Sequence, residues 1–226
     1  KYPELRLHRN DLHFDRHCLK EITSFSALTC VQQSVMNLGI LMVQGLVNSF
    51  GTVVMAAFAA AIKIDSFAYM PVQDFGNAFS TYIAQNKGAG LIDRMQKGLR
   101  SAIGIAFLFC VFISVLVFVF APQLMSLFID PQQTQIISEG VTYLHVEGAC
   151  YVGIGCLFLL YGYYRGIGKA GISVVLTVIS LGTRVVLSYM LTSTFGTLAI
   201  WWSIPIGWFL ADAVGLAYGK WKEKAL

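Results

Sequence analysis

Three charged side chains interrupt an otherwise apolar stretch of this chain. Lys63, Asp65 and Asp74 lie within "AAAIKIDSFAYMPVQDFGNAFSTYIAQNKGAG", residues 59–90, which also contains Pro71. A charge facing lipid costs at least about 2.5–3.5 kcal/mol, so charges at membrane depth usually face a helix-bundle interior or a water-filled cavity. Burial favours the neutral form of a carboxylate, and a carboxylate that exchanges a proton can couple transport to H⁺. The three residues are therefore candidates for binding an ion or a substrate.

Helix geometry separates these three residues. At about 100° per residue, Lys63 and Asp74 lie on nearly the same helix face and Asp65 points to the opposite side. One side can bind a ligand while the other braces a neighbouring helix. The alternative is that Lys63 pairs with an acid on a neighbouring helix and only stabilises the bundle. Of the two acids, Asp65 is favoured for ion coupling because it lies deeper than the end that carries the basic loops.

Glu147 is a further acid at membrane depth. It lies in "YLHVEGACYVGIG", residues 143–155, and shares a helix face with Tyr143 and Tyr151 at i,i+4 spacing. The spacing predicts a proton or ion site, unless Glu147 lies near the outer end and is simply solvated. Arg184 is a natural structural partner for one of the acids.

Asp212 closes a stack of residues along the last apolar run. Trp201, Pro205, Trp208 and Asp212 follow i, i+4, i+7 and i+11. An aromatic wall that ends in a carboxylate suits an organic cation. An interfacial aromatic belt with an Asp facing the cytoplasm would give the same pattern.

An amide stripe marks the first apolar run. Gln33, Asn37 and Gln44 share one helix face. Amides in lipid need partners, so they either join helices or line a wet cavity. The residues predicted to line a cavity are Gln33, Asn37, Gln44, Asn77, Tyr151, Trp201 and Trp208.

The elements that carry these residues are predicted to be membrane helices. The chain has 226 residues, of which 56% are hydrophobic and 12% charged, with mean hydropathy +0.66; soluble domains carry about 25% charged residues. Each of six apolar runs reaches the roughly 20 residues that cross a bilayer, and lipid requires such segments to be helical. The predicted fold is an all-α polytopic membrane protein, with spans near 24–47, 52–83, 99–121, 135–164, 171–192 and 197–219.

Basic residues give an orientation. Fourteen of the 16 Lys and Arg residues, all except Lys63 and Arg184, fall at one end of the predicted bundle. The positive-inside rule makes that end cytoplasmic, together with both ends of the chain. We therefore predict a cytoplasmic lead-in with an amphipathic helix at 1–22, a six-helix membrane region at 23–219 and a cytoplasmic tail at 220–226.

Other chemistries find little support in the sequence. "GIGKAG", residues 166–171, matches a dinucleotide fingerprint but follows a long apolar helix instead of a strand, so it predicts a turn. No metal-ligand cluster and no nucleophile–base pair is visible, so we predict no enzyme activity, no cofactor, no bound metal and no nucleic-acid partner.

Several segments together resemble the MATE family, the multidrug and toxic compound extrusion transporters. The residues 59–90 quoted above, with the following "DRMQKGLRSA", resemble the eighth helix and its cytoplasmic loop. "YGYYRGIGKAG" is similar to the end of the tenth helix, and "SLGTRVVLSYML" and "LAIWWSIPIGWFLAD" to the eleventh and twelfth. Some members carry a Glu in the seventh helix, whereas the comparable "VQQSVMNLG" contains no acid.

The resemblance implies an architecture and a mechanism. Family members have twelve helices in two six-helix lobes around a central cavity, and export is driven by Na⁺ or H⁺. This chain would be the C-terminal lobe, in the plasma membrane, and its partner would be a missing N-terminal six-helix lobe of the same polypeptide. The implied function is antiport of organic cations or amphipathic compounds. Two alternatives are a lipid-linked saccharide flippase of the same superfamily, with Lys63 and Arg184 lining a cationic cavity, and a non-transporting scaffold whose acids are all salt-bridged.

Overall fold

The computed structural model describes residues 15–223, with side chains as far as residue 219. This part of the chain is helical throughout apart from short connections, and it contains no strand. The helices are α1 Arg16–Asn48, α2 Thr52–Gly88, α3 Ile92–Ser126, α4 Thr134–Gly148, α5 Tyr151–Gly166, α6 Ala170–Phe195 and α7 Thr197–Glu223.

Their length and composition suit a membrane. Five of the described helices, α1, α2, α3, α6 and α7, are individually long and apolar enough to cross a bilayer. The pair α4 and α5 passes the same test as one segment bent by 52°, which brings the number to six. The predicted all-α polytopic fold is confirmed, but the predicted span 135–164 is two helices instead of one.

Short connections divide the bundle into two ends. We call the end with connections 89–91 and 167–169 the basic end, and the end with connections 49–51 and 127–133 the neutral end. At the basic end the Lys87 ammonium donates to the carbonyl oxygen of Ile167 at 2.5 Å. This bond ties the last turn of α2 to the connection 167–169. Gly168 takes φ +80° in the second one, so the dinucleotide-like motif is a turn.

Glycines allow the central helices to approach closely. α5 packs most extensively on α2. A Cβ on Gly76 would lie 2.7 Å from the carbonyl oxygen of Phe158, and one on Gly162 would collide with the Gly76 carbonyl. Small residues replace the missing hydrophobic drive between membrane helices by close packing. The α2–α5 pair therefore forms a rigid support for side chains that point between them.

α3 ends later than its sequence indicates. The predicted span stopped at residue 121, but the helix continues to Ser126 with Pro122 inside it. Proline has no N–H to donate to the carbonyl four residues before it, here that of Phe118. The His145 ring of α4 supplies a replacement donor, with its Nε2 at 3.1 Å from that oxygen. The same ring stacks on the Phe118 ring at a centroid distance of 4.2 Å.

The two ends of the chain also differ in detail from the predicted division. Residues 16–22 are the first turns of α1 and not a separate helix, and the Asp15 carboxylate accepts from the backbone N–H of His17 at 2.7 Å as the N-cap. α7 extends to Glu223, so it includes part of the predicted tail. The rest of the lead-in, residues 1–14, and residues 224–226 lie outside the described residues.

Candidate ion and substrate sites

Asp65 lies at the centre of a buried polar cluster. Its side chain on α2 is 4% exposed. The Tyr143 hydroxyl of α4 donates to Oδ2 at 3.0 Å, and the Tyr151 hydroxyl of α5 donates to Oδ1. Three helices thus bring one carboxylate and two phenols together. Hydrogen bonds to an ionised acceptor are about twice as strong as neutral ones, so this arrangement holds the carboxylate firmly in place.

Glu147 joins the same cluster. It is 1% exposed, and its carboxyl group lies within hydrogen-bonding reach of both Asp65 and Tyr143. Its Oε1 has no hydrogen-bond partner. We call Asp65, Tyr143, Glu147 and Tyr151 the acid–tyrosine cluster.

Arg184 of α6 is the cation whose charge acts on this cluster. It attracts Glu147 electrostatically without forming a salt bridge with either acid, and its Nε is buried without a hydrogen-bond partner. Two carboxylates that share one site cannot both be ionised without a large penalty. The cluster is therefore suited to hold a proton or a small cation between Asp65 and Glu147.

A helix break lies inside the cluster. α4 ends at Gly148 and α5 begins at Tyr151, between Glu147 and the first tyrosine of α5. The backbone tightens here: Cys150 N–H donates to the Glu147 carbonyl at 2.9 Å. Broken membrane helices often provide the ion site of secondary transporters, because their ends can move and their backbone groups face the site.

Lys63 and Asp74 lie apart from this cluster. Both are exposed, and Asp65 is buried on the other side of α2, as the helix geometry indicates. The Lys63 ammonium lies 5.9 Å from the centre of the Phe128 ring, near the neutral end. No salt bridge joins Lys63 to an acid in the described part of the chain.

The aromatic stack of α7 points into the helix bundle. Trp201 is fully buried between the rings of Phe58 and Tyr143, at centroid distances of 5.3 Å and 5.0 Å. Its Nε1 donates to the Glu139 carboxylate at 3.3 Å. Trp201 therefore packs directly behind the acid–tyrosine cluster.

The rest of that stack is buried as well. Trp208 and Asp212 are 8% and 6% exposed. The Asp212 side chain lies beside the Cys156 thiol, and its Oδ1 has no hydrogen-bond partner. Asp212 is thus a third buried carboxylate, separate from the cluster that contains Asp65 and Glu147.

The amide stripe of α1 lies beside the buried face of that helix. Gln33, Asn37 and Gln44 are all exposed, whereas Val43 and Val47 are fully buried. Exposed amides are costly against lipid. This face of α1 therefore fits water or a second protein surface better than hydrocarbon.

A polar cavity of about 250 Å³ opens between α1, α2 and α5. Four amides, two aromatic rings and one cation dominate its wall. Gln33 and Asn77 were selected from the sequence, whereas Gln32 and Arg165 were not. Gln32 lies next to the amide stripe in the sequence, and this position is the signal that could have identified it. Arg165 was interpreted only as one of the basic residues that set the orientation. The lining residues are Thr29, Gln32, Gln33, Met36, Gln73, Asn77, Phe158, Tyr161 and Arg165.

The fold defines a polytopic helical protein whose helices are long and apolar enough to span a membrane. The MatE family model matches residues 28–190. The chain belongs to the MATE family, whose members are secondary transporters and not enzymes.

Relatives and solved structures agree with this assignment. Two proteins of Bacillus subtilis, probable multidrug resistance proteins YoeA and YpnP, are 24% and 29% identical over 96% and 87% of this chain. The matches span 48% and 44% of those proteins, so the chain covers about half their length. An outward-facing multidrug resistance MATE transporter of the MOP superfamily superposes with TM-score 0.88 at 22% identity, over 97% of this chain and 49% of that one.

Proposed function

We propose that this chain forms one lobe of a secondary active exporter of organic compounds, cationic or amphipathic, that works by antiport with Na⁺ or H⁺. Membership of the MATE family and coverage of about half of each relative support a second lobe in the working transporter. The observation that carries the coupling role is the contact between Asp65 and Glu147 at a helix break.

Ion binding would act on this break. A proton or Na⁺ between the two carboxylates removes their repulsion and allows α2 and α4 to pack closely. When the ion leaves, the repulsion returns and favours a different arrangement of α4 and α5. A ligand shifts a conformational equilibrium only through such differential affinity, and two lobes rocking about a central site give alternating access.

The exposed polar residues would face the central cavity. Gln33, Asn37, Gln44, Asp74 and Asn77 are all exposed on α1 and α2. With a second lobe opposite, they would contact water and substrate instead of lipid. Trp201, Trp208 and Asp212 are buried inside this lobe, so we propose that they support the coupling site and do not form the substrate wall.

Removal of the Asp65 charge tests the coupling role. In the full-length transporter, reconstituted in vesicles, Asp65→Asn should reduce efflux driven by an imposed Na⁺ or pH gradient at least about tenfold. The amide of asparagine carries no negative charge to bind a proton or Na⁺. Asp74→Asn is the matched control and should keep the ion dependence, because Asp74 is exposed and outside the cluster. Imposing each gradient separately identifies the ion. Wild-type efflux by Asp65→Asn at every pH would remove Asp65 from the coupling role.

The basic end is proposed to face the cytoplasm, with the protein in the plasma membrane. The positive-inside rule supports this orientation. Replacing the five cysteines of the chain, all of them free, gives a background for single labels. In intact cells, Gln132→Cys at the neutral end should react with an impermeant thiol reagent and Lys97→Cys should not. The reverse pattern would invert the topology.

The alternatives differ in the charges they require. A scaffold with fully salt-bridged acids is disfavoured, because Asp65 and Glu147 make no salt bridge within the described residues. A lipid-linked saccharide flippase needs a cationic cavity. Lys63 and Arg184 do not line the cavity described above, but Arg165 does, so this reading is retained as the second candidate.

A further inference from the structure

The cavity between α1, α2 and α5 has an unusual charge balance for an exporter of cations. Arg165 is the one formally charged side chain among the described residues that line it. The acids proposed for coupling lie elsewhere: Asp65 belongs to the acid–tyrosine cluster, and Asp212 to the interior beside Cys156. A permanently cationic group would therefore meet repulsion in this cavity.

Arg165 keeps donors available. Its Nε donates to the Tyr161 carbonyl at 3.2 Å, and one terminal nitrogen donates to Asn77 Oδ1 at 2.8 Å. A guanidinium has five N–H donors, and both recorded acceptors are neutral. No carboxylate among the described residues forms a salt bridge with Arg165. The guanidinium belongs to the last turn of α5, where the helix dipole compensates its charge in part.

The neighbouring side chains can also bind a group that accepts hydrogen bonds. The Gln32 amide nitrogen donates to the Thr177 hydroxyl at 3.0 Å, which fixes the position of Gln32 in the cavity wall. Gln33 and Gln73 present amides, which can donate as well as accept. The ring of Phe158 supplies an apolar surface beside them.

We propose that this cavity binds the oxyanion, carboxylate or phosphate, of an amphipathic cargo, with the guanidinium of Arg165 as the recognising group. Arginine matches planar oxyanions through paired N–H donors. The volume of about 250 Å³ is below the roughly 300–1,000 Å³ of a complete drug-sized site, so the cavity takes one end of the cargo. This inference rests on the proposed transport function and narrows its substrates to amphipathic compounds that carry a negative group.

A binding measurement separates this inference from transport. The full-length transporter in neutral detergent is titrated calorimetrically with 2-naphthoate and with its methyl ester, which share the ring system and differ in the negative charge and one methyl group. The wild type should bind the acid at least about tenfold more tightly, as expected for hydrogen bonds to a charged group. Arg165→Gln should reduce that ratio to about twofold or less with the affinity for the ester unchanged. Arg165→Lys should retain an intermediate ratio, because a point charge replaces the planar fork.

Two further variants keep the test decisive. Lys97→Gln removes an exposed cation near the same end that does not line the cavity, and it should leave the ratio unchanged. If Arg165→Gln does not fold, Gln33→Leu replaces an exposed lining amide and should still lower the affinity for the acid severalfold. An equal affinity of the wild type for acid and ester, or an unchanged ratio in Arg165→Gln, would overturn the proposal.

The source of the oxyanion is distinguished by a second probe. Dihexanoyl phosphatidic acid competes with 2-naphthoate if a lipid phosphate enters the cavity, whereas an exclusively soluble cargo leaves the titration unchanged by this lipid. Efflux in vesicles is measured in parallel. Acid selectivity without gradient-driven efflux would leave this inference standing and refute the proposed function. Gradient-driven efflux without acid selectivity would refute this inference and leave the proposed function standing.

Discussion

Two phenols hold the carboxylate of Asp65. Tyr143 donates to one oxygen and Tyr151 to the other, and neither bond faces solvent. A proton or cation that binds this carboxylate competes with both phenols for the same lone pairs. In the proposed coupling role, the tyrosines would therefore favour release of the ion as well as position the acid.

Tyr151→Phe should tighten ion binding and slow the cycle. The empty carboxylate loses a charge-assisted hydrogen bond of about 1.5–3 kcal/mol, so the ion concentration for half-maximal efflux should fall about tenfold or more. Maximal turnover should also fall, since the ion leaves less readily. The measurement is efflux by the full-length transporter against coupling-ion concentration. Tyr189→Phe, which removes an exposed hydroxyl bonded to the Met42 carbonyl, is the control; a higher half-maximal concentration for Tyr151→Phe would contradict this role.

Sequence reasoning could select the members of this cluster but not their contacts. Asp65 and Glu147 were selected because burying a charge is costly, and Tyr151 because it lies one helical turn from Glu147. Their convergence depends on how α2 packs against α4 and α5, which spacing within a single helix does not specify. Arg165 was not among the predicted site residues, because the positive-inside rule already explains a cation near the end of a membrane helix.

One hydrogen bond between α3 and α4 replaces a bond that a proline removes from α3. Pro122 leaves the Phe118 carbonyl without its helical donor, and His145 Nε2 supplies another. Because the acceptor is a carbonyl, Nε2 must carry the proton. The bond joins α3 to the helix that carries Tyr143 and Glu147, two residues to either side of His145.

A double-mutant cycle tests this replacement. His145→Phe should destabilise the wild type by about 1 kcal/mol, the usual contribution of one hydrogen bond, with more if the carbonyl is left unsatisfied. In a Pro122→Ala background the restored N–H can satisfy Phe118, so the same substitution should cost clearly less. Thermal unfolding of the purified transporter in detergent gives both differences. Equal costs in the two backgrounds would mean that His145 does not replace the missing donor.

Helix ends and breaks were the least predictable feature at this scale. The six apolar runs predicted five of the helices and located the bent pair α4 and α5 as one segment, because hydrophobic length is set by the bilayer. The predicted span 99–121 ended before Pro122, because the replacement donor, His145, lies on another helix. The break at residues 149–150 contains no proline; Gly148 was the only local signal, and glycine is common in membrane helices that do not break.

At the scale of the whole molecule, two sides of the described residues differ in polarity. α3 presents apolar side chains such as Phe107, Leu108 and Phe112 outward, as lipid requires. α1 and α2 instead expose Gln33 and Asp74. The described lobe thus combines a lipid-compatible side with a polar side, which fits half of a two-lobed transporter.

Residues 1–226 alone should not transport. In the proposed mechanism, alternating access needs two walls that rock about the central site, and this chain would supply one of them. Without the second wall, its polar side would be exposed to lipid, at a cost for every amide and charge. In vesicles, dye efflux by the isolated chain, normalised to inserted protein, should stay at the level of empty vesicles under either gradient. Co-reconstitution with the separately expressed complementary lobe should restore efflux, and the same mixture with Asp65→Asn in this chain should not. Efflux by residues 1–226 at the rate of the full-length parent would show that the coupling site and the cavity are complete within this chain.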